Sequence, residues 1–524
     1  MTSIRLAIFV ALATTAAHAA AQPPAGGEST AVFSPVTWER LVNAADEPQN
    51  WLMYNGTLDG KRFSQLDQID VSNVTNLKLK WAHHIPQLDR AETTPLVVDG
   101  VMFITESPSN VVAVDAVTGR PFWRYDHPLP DDLRVCCGRN NRGVAILGET
   151  LYMSTLDAHL VAIDGRSGSL RWNQEVADHR SGYSKTAAPL IVKDRIVTGI
   201  AGGEYGIRGF LDAYDADTGE REWRTYTIPG PDHPDNRTWA GDSWRTGGSP
   251  TWITGSYDPD LNLVYWGTGN PGPDWNGDLR QGDNLYADSV LALDGDTGEM
   301  SWYFQFTPHD VHDWDAIQIP VLADIELDGE TRKAMLWANR NGFYYTLDRE
   351  TGEFLLGKAF ALQTWAEGLD SNGRPIRRPG TFPSQEGTLV APIAGGATNW
   401  WSPAYSPRTG LLYVNASVWM LLRGGENIYC AEVEAGIFEH SDVAECAVFG
   451  VPDERLGEEV GAAVVVRKDA DLGAPAIREH CAARMAAHKI PRYIWIGTEP
   501  LPRNANGKFL KRQLRDELDP ANSG

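Results

Sequence analysis

The chain has 524 residues, 42% hydrophobic and 22% charged, and carries a formal net charge of −23. That is long enough for more than one packed core, and the acidic balance argues against nucleic acid or an anionic membrane surface as partner, because both would repel it. Nineteen Trp and 51 Gly, set among short apolar runs, point to β-structure with many tight turns.

Residues 1–21 carry Arg5, an apolar run from Leu6 to Leu12, and the small-residue pattern Ala17-His18-Ala19. This order predicts a secretory signal and a mature chain in an oxidising compartment; the run is too short to span a bilayer. A repeat follows. Ala113, Asp115, Gly119 and Trp123 recur at the same offsets as Ala162, Asp164, Gly168 and Trp172, then Ala213, Asp215, Gly219 and Trp223, then Ala292, Asp294, Gly298 and Trp302. A weaker copy has Asp348 and Gly352 with Leu356 in the Trp place, and the last keeps Ala404 and Gly410. Each copy predicts strand, turn, strand: Asp caps the turn, Gly supplies positive φ, and Trp packs between neighbouring sheets. Spacings of roughly 50 residues between most copies fit four-stranded propeller blades.

Within this frame Thr307 to Asp315 reads T-P-H-D-V-H-D-W-D. Asp313 and Asp315 are two apart, so an extended segment would project both carboxylates to one face, where they could hold a hard cation or leave one as a base. A polar turn between strands is the other reading.

The repeats, C-C-G-R-N-N-R-G from Cys136, G-G-E-Y-G-I-R-G from Gly202, G-T-G-N-P from Gly267 and the Thr307–Asp315 loop together resemble the periplasmic quinoprotein alcohol dehydrogenases, which use pyrroloquinoline quinone (PQQ). The resemblance covers about residues 35 to 419. It implies a mainly β fold, an eight-bladed-type propeller truncated at its C-terminal end, in a periplasmic enzyme oxidising a small alcohol. Cys136 and Cys137 would join as a disulfide forming one wall of the quinone site, with Trp252 stacking on the other side. Arg142 and Arg340 would contact the cofactor, with Glu92, Thr186, Gly202, Gly203 and Asn399 at further contact positions and Ala201 where some members place Ser. Glu204 and Asn270 would hold the metal, Asp313 would be the catalytic base, and Asp315 stands where lanthanide-using members carry an additional aspartate. Asp315 is either a metal ligand or a residue behind the ligands. An extra carboxylate favours a trivalent ion, which places a lanthanide ahead of calcium. In the mechanism this implies, the cation polarises a quinone carbonyl, Asp313 takes the alcohol proton, and hydride moves from the carbinol carbon to the quinone. No C-x-x-C-H occurs, so no covalent haem is expected, and electrons would pass to a separate basic cytochrome c. A homodimer is left open.

The resemblance stops at Trp419. From Met420 to about residue 518 the chain resembles the C-terminal domain of acyl-CoA synthetases and other adenylate-forming enzymes, a small α+β unit with helices expected near 431–439 and 476–487. Lys508 would be its adenylate-reaching lysine and Gly424-Gly425-Glu426 its mobile loop; Cys430 stands where proline is usual. That family's large ATP-holding domain has no counterpart here, so no catalysis is assigned to this part. The expected division is therefore a signal peptide at 1–21, a propeller at 22–419 and a second domain at 420–524, joined without a Gly/Ser or Pro linker. Three function classes follow: a PQQ alcohol dehydrogenase, a non-catalytic propeller remnant or fusion, and an adenylate-forming accessory.

Overall fold

Alternating apolar strands closed by Asp- and Gly-bearing turns build a series of antiparallel four-stranded sheets. The computed structural model describes residues 30–86, 90–385, 387–388, 390–417, 420–423, 426–468, 470–503 and 509–524. Among these, five four-stranded sheets follow one another along the chain, each with its strands in sequence order. Blade 1 comprises Leu96–Val98, Val101–Glu106, Asn110–Asp115 and Pro121–Asp126. Blade 2 runs from Ala145–Leu147 to Leu170–Glu175, blade 3 from Leu190–Val192 to Arg221–Tyr226, blade 4 from Ser256–Asp258 to Met300–Gln305, and blade 5 from Val321–Leu327 to Phe354–Ala359. The first strands are largely buried and the fourth strands are mostly exposed or half-buried apart from Trp123 and Trp223, as expected when sheets stand around an axis with their outer edges in water.

The repeat residues explain this regularity. In blades 1 to 4 the repeat Ala faces the repeat Trp across the hairpin between third and fourth strands, and a bulge follows each Ala. The turn Asp accepts two backbone N–H bonds from the residues two and three further on, at Asp115, Asp164, Asp215, Asp294 and Asp348 alike. The Trp then reaches the next blade. A Cβ on Gly168 would sit 2.6 Å from the Trp123 ring, and Trp172, Trp223 and Trp302 cover Gly219, Gly298 and Gly352 in the same way. Only glycine leaves room for the indole there. Trp81 covers Gly119 likewise and donates to the Ala116 carbonyl at 3.2 Å, so it holds the same station without a sheet of its own.

After blade 5 come two-stranded sheets, Ala366–Leu369 with Pro375–Arg377 and Ala404–Ser406 with Leu411–Tyr413. Among the described residues of the stretch leading to the second unit, Leu411–Tyr413 pairs as a strand and residues 414–417 are irregular. Met420–Arg423 belongs to a different, five-stranded sheet with Glu426–Tyr429, Val443–Asp453, Gly457–Val466 and Tyr493–Gly497. Helices Cys430–Phe438 and Ala474–Ala482 bury Val433, Ile437 and Ile477 against it. The first begins one residue before its expected start. The second ends five residues early, because Ala483 to Lys489 continues as turn and a short 3-10 segment. Lys508, Gly424, Gly425, Trp419 and the expected signal peptide lie outside the described residues. Among the described residues no helix is long and apolar enough to cross a membrane.

Candidate active site

A cavity of about 230 Å³ opens at one end of the blades. Its walls come from two sets of loops. Glu92, Cys136 to Arg142, Thr186, Trp252, Asp313 with Asp315, and Asn399 with Trp400 each lie on the segment leading into the first strand of a sheet. Ala201 to Glu204, Asn270 and Arg340 each follow a second strand. In an antiparallel sheet the start of one strand and the end of the next share one edge, so residues spread over some 300 positions converge. Gly203 does not line the cavity. It opens the 3-10 turn Gly203–Tyr205 that carries Glu204 inward, while Gly202, at φ 117°, passes so close to the Gly182 carbonyl that a Cβ would collide.

Cys136 and Cys137 form a disulfide between adjacent residues, with the Glu204 carboxylate within 4.8 Å of the sulfurs. The Trp252 ring lies on the same cavity, 5.0 Å from the Arg142 guanidinium, and the Thr186 hydroxyl donates to the Trp252 carbonyl at 3.4 Å. Arg142 pairs with Glu92 at 2.7 Å, and Glu92 also accepts from Asn140 at 2.9 Å. Burial pushes the Arg142 pKa down despite that carboxylate, and its Nε and one terminal nitrogen are buried with no hydrogen-bond partner among the described residues. A buried guanidinium with idle donors suits an anionic ligand.

On the opposite side Arg340 forks between two aspartates, 3.4 Å from Asp313 and in a short contact with Asp315, and donates to the Ala394 carbonyl at 2.6 Å. The loop bearing them is pinned from within. Asp310 is fully buried and accepts the His312 and Trp314 backbone N–H groups at 3.0 and 2.8 Å, and Trp314 packs 5.0 Å from Trp365. Asp313 takes φ 62°, so the loop is not the extended segment expected; the turn at Asp313 and the shared arginine bring both carboxylates to the cavity. The loop is a polar turn between strands, but an interior one, with Asp315 only 5% exposed. Burial raises the pKa of Asp313, with Asp315, Asp274 and Asp310 adding to the rise and Arg340 opposing it. Asp315 is raised for the same first reason, burial, whereas Glu204, which stays open to solvent, is raised by partial desolvation at the cavity wall with Asp315 and Asp274 adding to it. Asn270 donates from its backbone to Asp315 at 2.8 Å and from its side chain to Asp274 at 2.9 Å. Three carboxylates and the Asn270 side chain thus line one space, two of the carboxylates shared with Arg340, a donor set suited to a hard cation.

The β-propeller domain of the PQQ-dependent glucose/ethanol/alcohol dehydrogenases matches residues 51–357. The chain belongs to this family. Among similar quinoproteins, quinoprotein alcohol dehydrogenase PedH of Pseudomonas putida is 41% identical over 415 residues, 74% of this chain and 70% of that protein. Quinohemoprotein alcohol dehydrogenase ADH IIB of Pseudomonas putida is 44% identical over 397 residues, 72% of this chain and 57% of the relative. The chain therefore spans well over half the length of these relatives and leaves the rest unmatched. A europium-containing methanol dehydrogenase superposes with a TM-score of 0.69 at 31% identity, covering 81% of this chain and 75% of that one. Residues 432–508 match the C-terminal domain of AMP-binding enzymes.

The structure adds cavity residues that the sequence pattern did not single out. Asn140 and Trp400 line the cavity, and Trp400 lies 5.4 Å from the Arg142 guanidinium. Asp274 backs Asn270 from four residues away, a carboxylate beside an N-P motif that gave no periodic or spacing signal.

Proposed function

We propose that the chain oxidises a small alcohol to an aldehyde or ketone, with PQQ and a cation in the cavity, and hands the electrons to a separate protein. The observation that carries this reading is the cavity itself, where a disulfide, an indole, a partly unpartnered buried arginine and three carboxylates meet from loops of successive blades. The residues present fit both groups. Arg142 and Arg340 would hold the anionic rim of PQQ, helped by Glu92, Thr186 and Asn399, with its faces against Trp252 and the 136–137 disulfide. Glu204, Asn270, Asp313 and Asp315 would hold the cation, a lanthanide ahead of calcium because a third carboxylate suits a trivalent ion.

PQQ, when bound, supplies a carbonyl electrophile that accepts two electrons, and a neighbouring cation strengthens it as a Lewis acid. Asp313 takes the proton from the alcohol hydroxyl at a carboxylate oxygen. The burial and neighbouring carboxylates that raise its pKa make it a stronger base than an exposed aspartate. Arg340 holds Asp313 and Asp315 in place and balances their charge. The indole and disulfide would flank the two faces of the bound group and fix its position beside Asp313.

We place the protein in the periplasm and assign the acceptor role to a soluble basic cytochrome c, in keeping with the −23 charge. The division at Trp419 and Met420 is likewise our reading, supported by the change of sheet there. Reconstitution of the purified chain with PQQ and either La³⁺ or Ca²⁺, with a dye as acceptor, tests the function. Saturable PQQ binding and alcohol-dependent dye reduction are expected, and absence of saturable binding overturns the reading.

A further inference from the structure

We propose that Asp274 is a positioning residue that holds the Asn270 side chain with its Oδ1 toward the cation, and this rests on the reading of the cavity as a PQQ and cation site. Asn270 is clamped at two points, its backbone N–H on Asp315 Oδ1 at 2.8 Å and its side-chain Nδ2 on Asp274 Oδ1 at 2.9 Å. A carboxylate only accepts hydrogen bonds, so the end of the amide that faces Asp274 must be the nitrogen. The amide is planar, which leaves Oδ1 on the other side, and among the described residues no donor reaches it. Asn270 lines the cavity and Asp274 does not, so Asp274 acts through its neighbour.

The location of Asp274 supports more than one contribution. It is close enough to Glu204 and Asp313 for its charge to help raise both of their pKa values, after burial. Its own carboxyl sits on the loop between Asn270 and the short 3-10 segment Asp278–Arg280. There the fully buried Arg280 donates to the Pro273 carbonyl at 2.9 Å and the Asp310 carbonyl at 2.6 Å. One arginine therefore ties the loop carrying Asn270 and Asp274 to the loop carrying Asp313 and Asp315. A ligand whose orientation is fixed by an outer hydrogen bond binds its metal more tightly, by about 10–100-fold as such partners are usually measured.

The test uses Tb³⁺ alone as probe with the purified full chain, reading tryptophan-sensitised luminescence from Trp252 in the cavity wall. Asp274→Ala should weaken Tb³⁺ binding by about 10–100-fold. D274N keeps an acceptor oxygen for Asn270 Nδ2 and should retain more than half of that loss in affinity, on a logarithmic scale, as recovered binding. If Asp274→Ala does not fold, Asp274→Leu fills the same space without an acceptor and takes its place. Wild-type affinity in the variants lacking the acceptor overturns the proposal. Equal weakening in D274N and Asp274→Ala overturns it too, because charge alone would then explain the effect. Glu204→Gln separates the two layers of inference. If it leaves Tb³⁺ binding unchanged, the cation reading of the cavity fails; if it weakens binding while the Asp274 variants do not, only the Asp274 role fails.

Discussion

Asp313 and Asp315 differ in what they touch, and that difference predicts separable effects. Asp315 is nearly fully buried, takes the short bond from Arg340 and fixes the Asn270 backbone, whereas Asp313 keeps 31% of its side chain exposed to the cavity. Asp313→Ala should abolish alcohol oxidation with either La³⁺ or Ca²⁺, and Asp315→Ala should lose the La³⁺-dependent rate while keeping part of the Ca²⁺-dependent one. Initial rates with a dye acceptor decide it, and equal losses would defeat the assignment. Lys185 offers a test outside the chemistry. Its ammonium is buried, donating to Thr198 Oγ1 and the Gly199 carbonyl at 2.8 Å each, and burial lowers its pKa from 10.5 to about 7 although Asp212 opposes this. Between pH 7 and 10.5 the unfolded chain holds this proton and the folded one sheds it, so stability rises with pH in that window. Urea melts should show wild type gaining about 2 kcal/mol relative to Lys185→Met between pH 7 and pH 9.

The recurring element is the hairpin whose Asp caps the turn and whose Trp covers the next blade's glycine. Gly168 illustrates how closely this is fitted: φ is 76° and the Trp123 ring occupies the place of a Cβ. Gly168→Ala should cost about 2–4 kcal/mol, combining the left-handed backbone penalty with displacement of the indole. Gly410 has the same turn conformation, φ 68°, but among the described residues nothing lies within 4 Å of its missing Cβ. Gly410→Ala should therefore cost only about 1 kcal/mol. Denaturant midpoints of the two variants measure the contrast, and equal losses would mean that the indole contact contributes nothing. The same comparison shows where the repeat weakens. Leu356 stands in the Trp place of blade 5 and is 46% exposed.

At the scale of the whole molecule, both ends of the described blade series present apolar side chains to water. Leu411 and Tyr413, on the last strand before residue 420, are 55% and 54% exposed, and Leu77 and Leu79, ahead of Trp81, are exposed as well. Trp81 holds the station of a fourth strand, yet no strand among residues 30–80 pairs with it. Apolar side chains on an unpaired sheet edge promote association between chains. Leu411→Lys combined with Tyr413→Lys should reduce concentration-dependent light scattering and leave the PQQ dissociation constant unchanged, because both residues lie away from the cavity. An unchanged scattering profile would show that this edge is not the adhesive one. For the natural product, a tryptic peptide ending at Arg423 and containing Trp419-Met420 should be found in the source cell, with genomic sequence across the same codons as the independent check.

The turns and the Ala–Trp register were legible in the sequence because each depends on residues within ten positions of one another, and the blade succession because that short pattern recurs. Asp115 and Gly119 close a single turn, and Ala113 and Trp123 face each other across it. The boundary of the last strand and the station of Trp81 were not, since both are decided by which neighbouring sheet is present to pair or pack. The site divides along the same line. The residue types of the candidate site came from linear motifs. The fork of Arg340 between Asp313 and Asp315, the left-handed turn at Asp313, the backing of Asn270 by Asp274 and the arrival of Trp400 beside Arg142 arise only when separate loops share one end of the sheets. Burial there also sets the proton affinity of the carboxylates, a property of the assembled interior that no local stretch of chain carries.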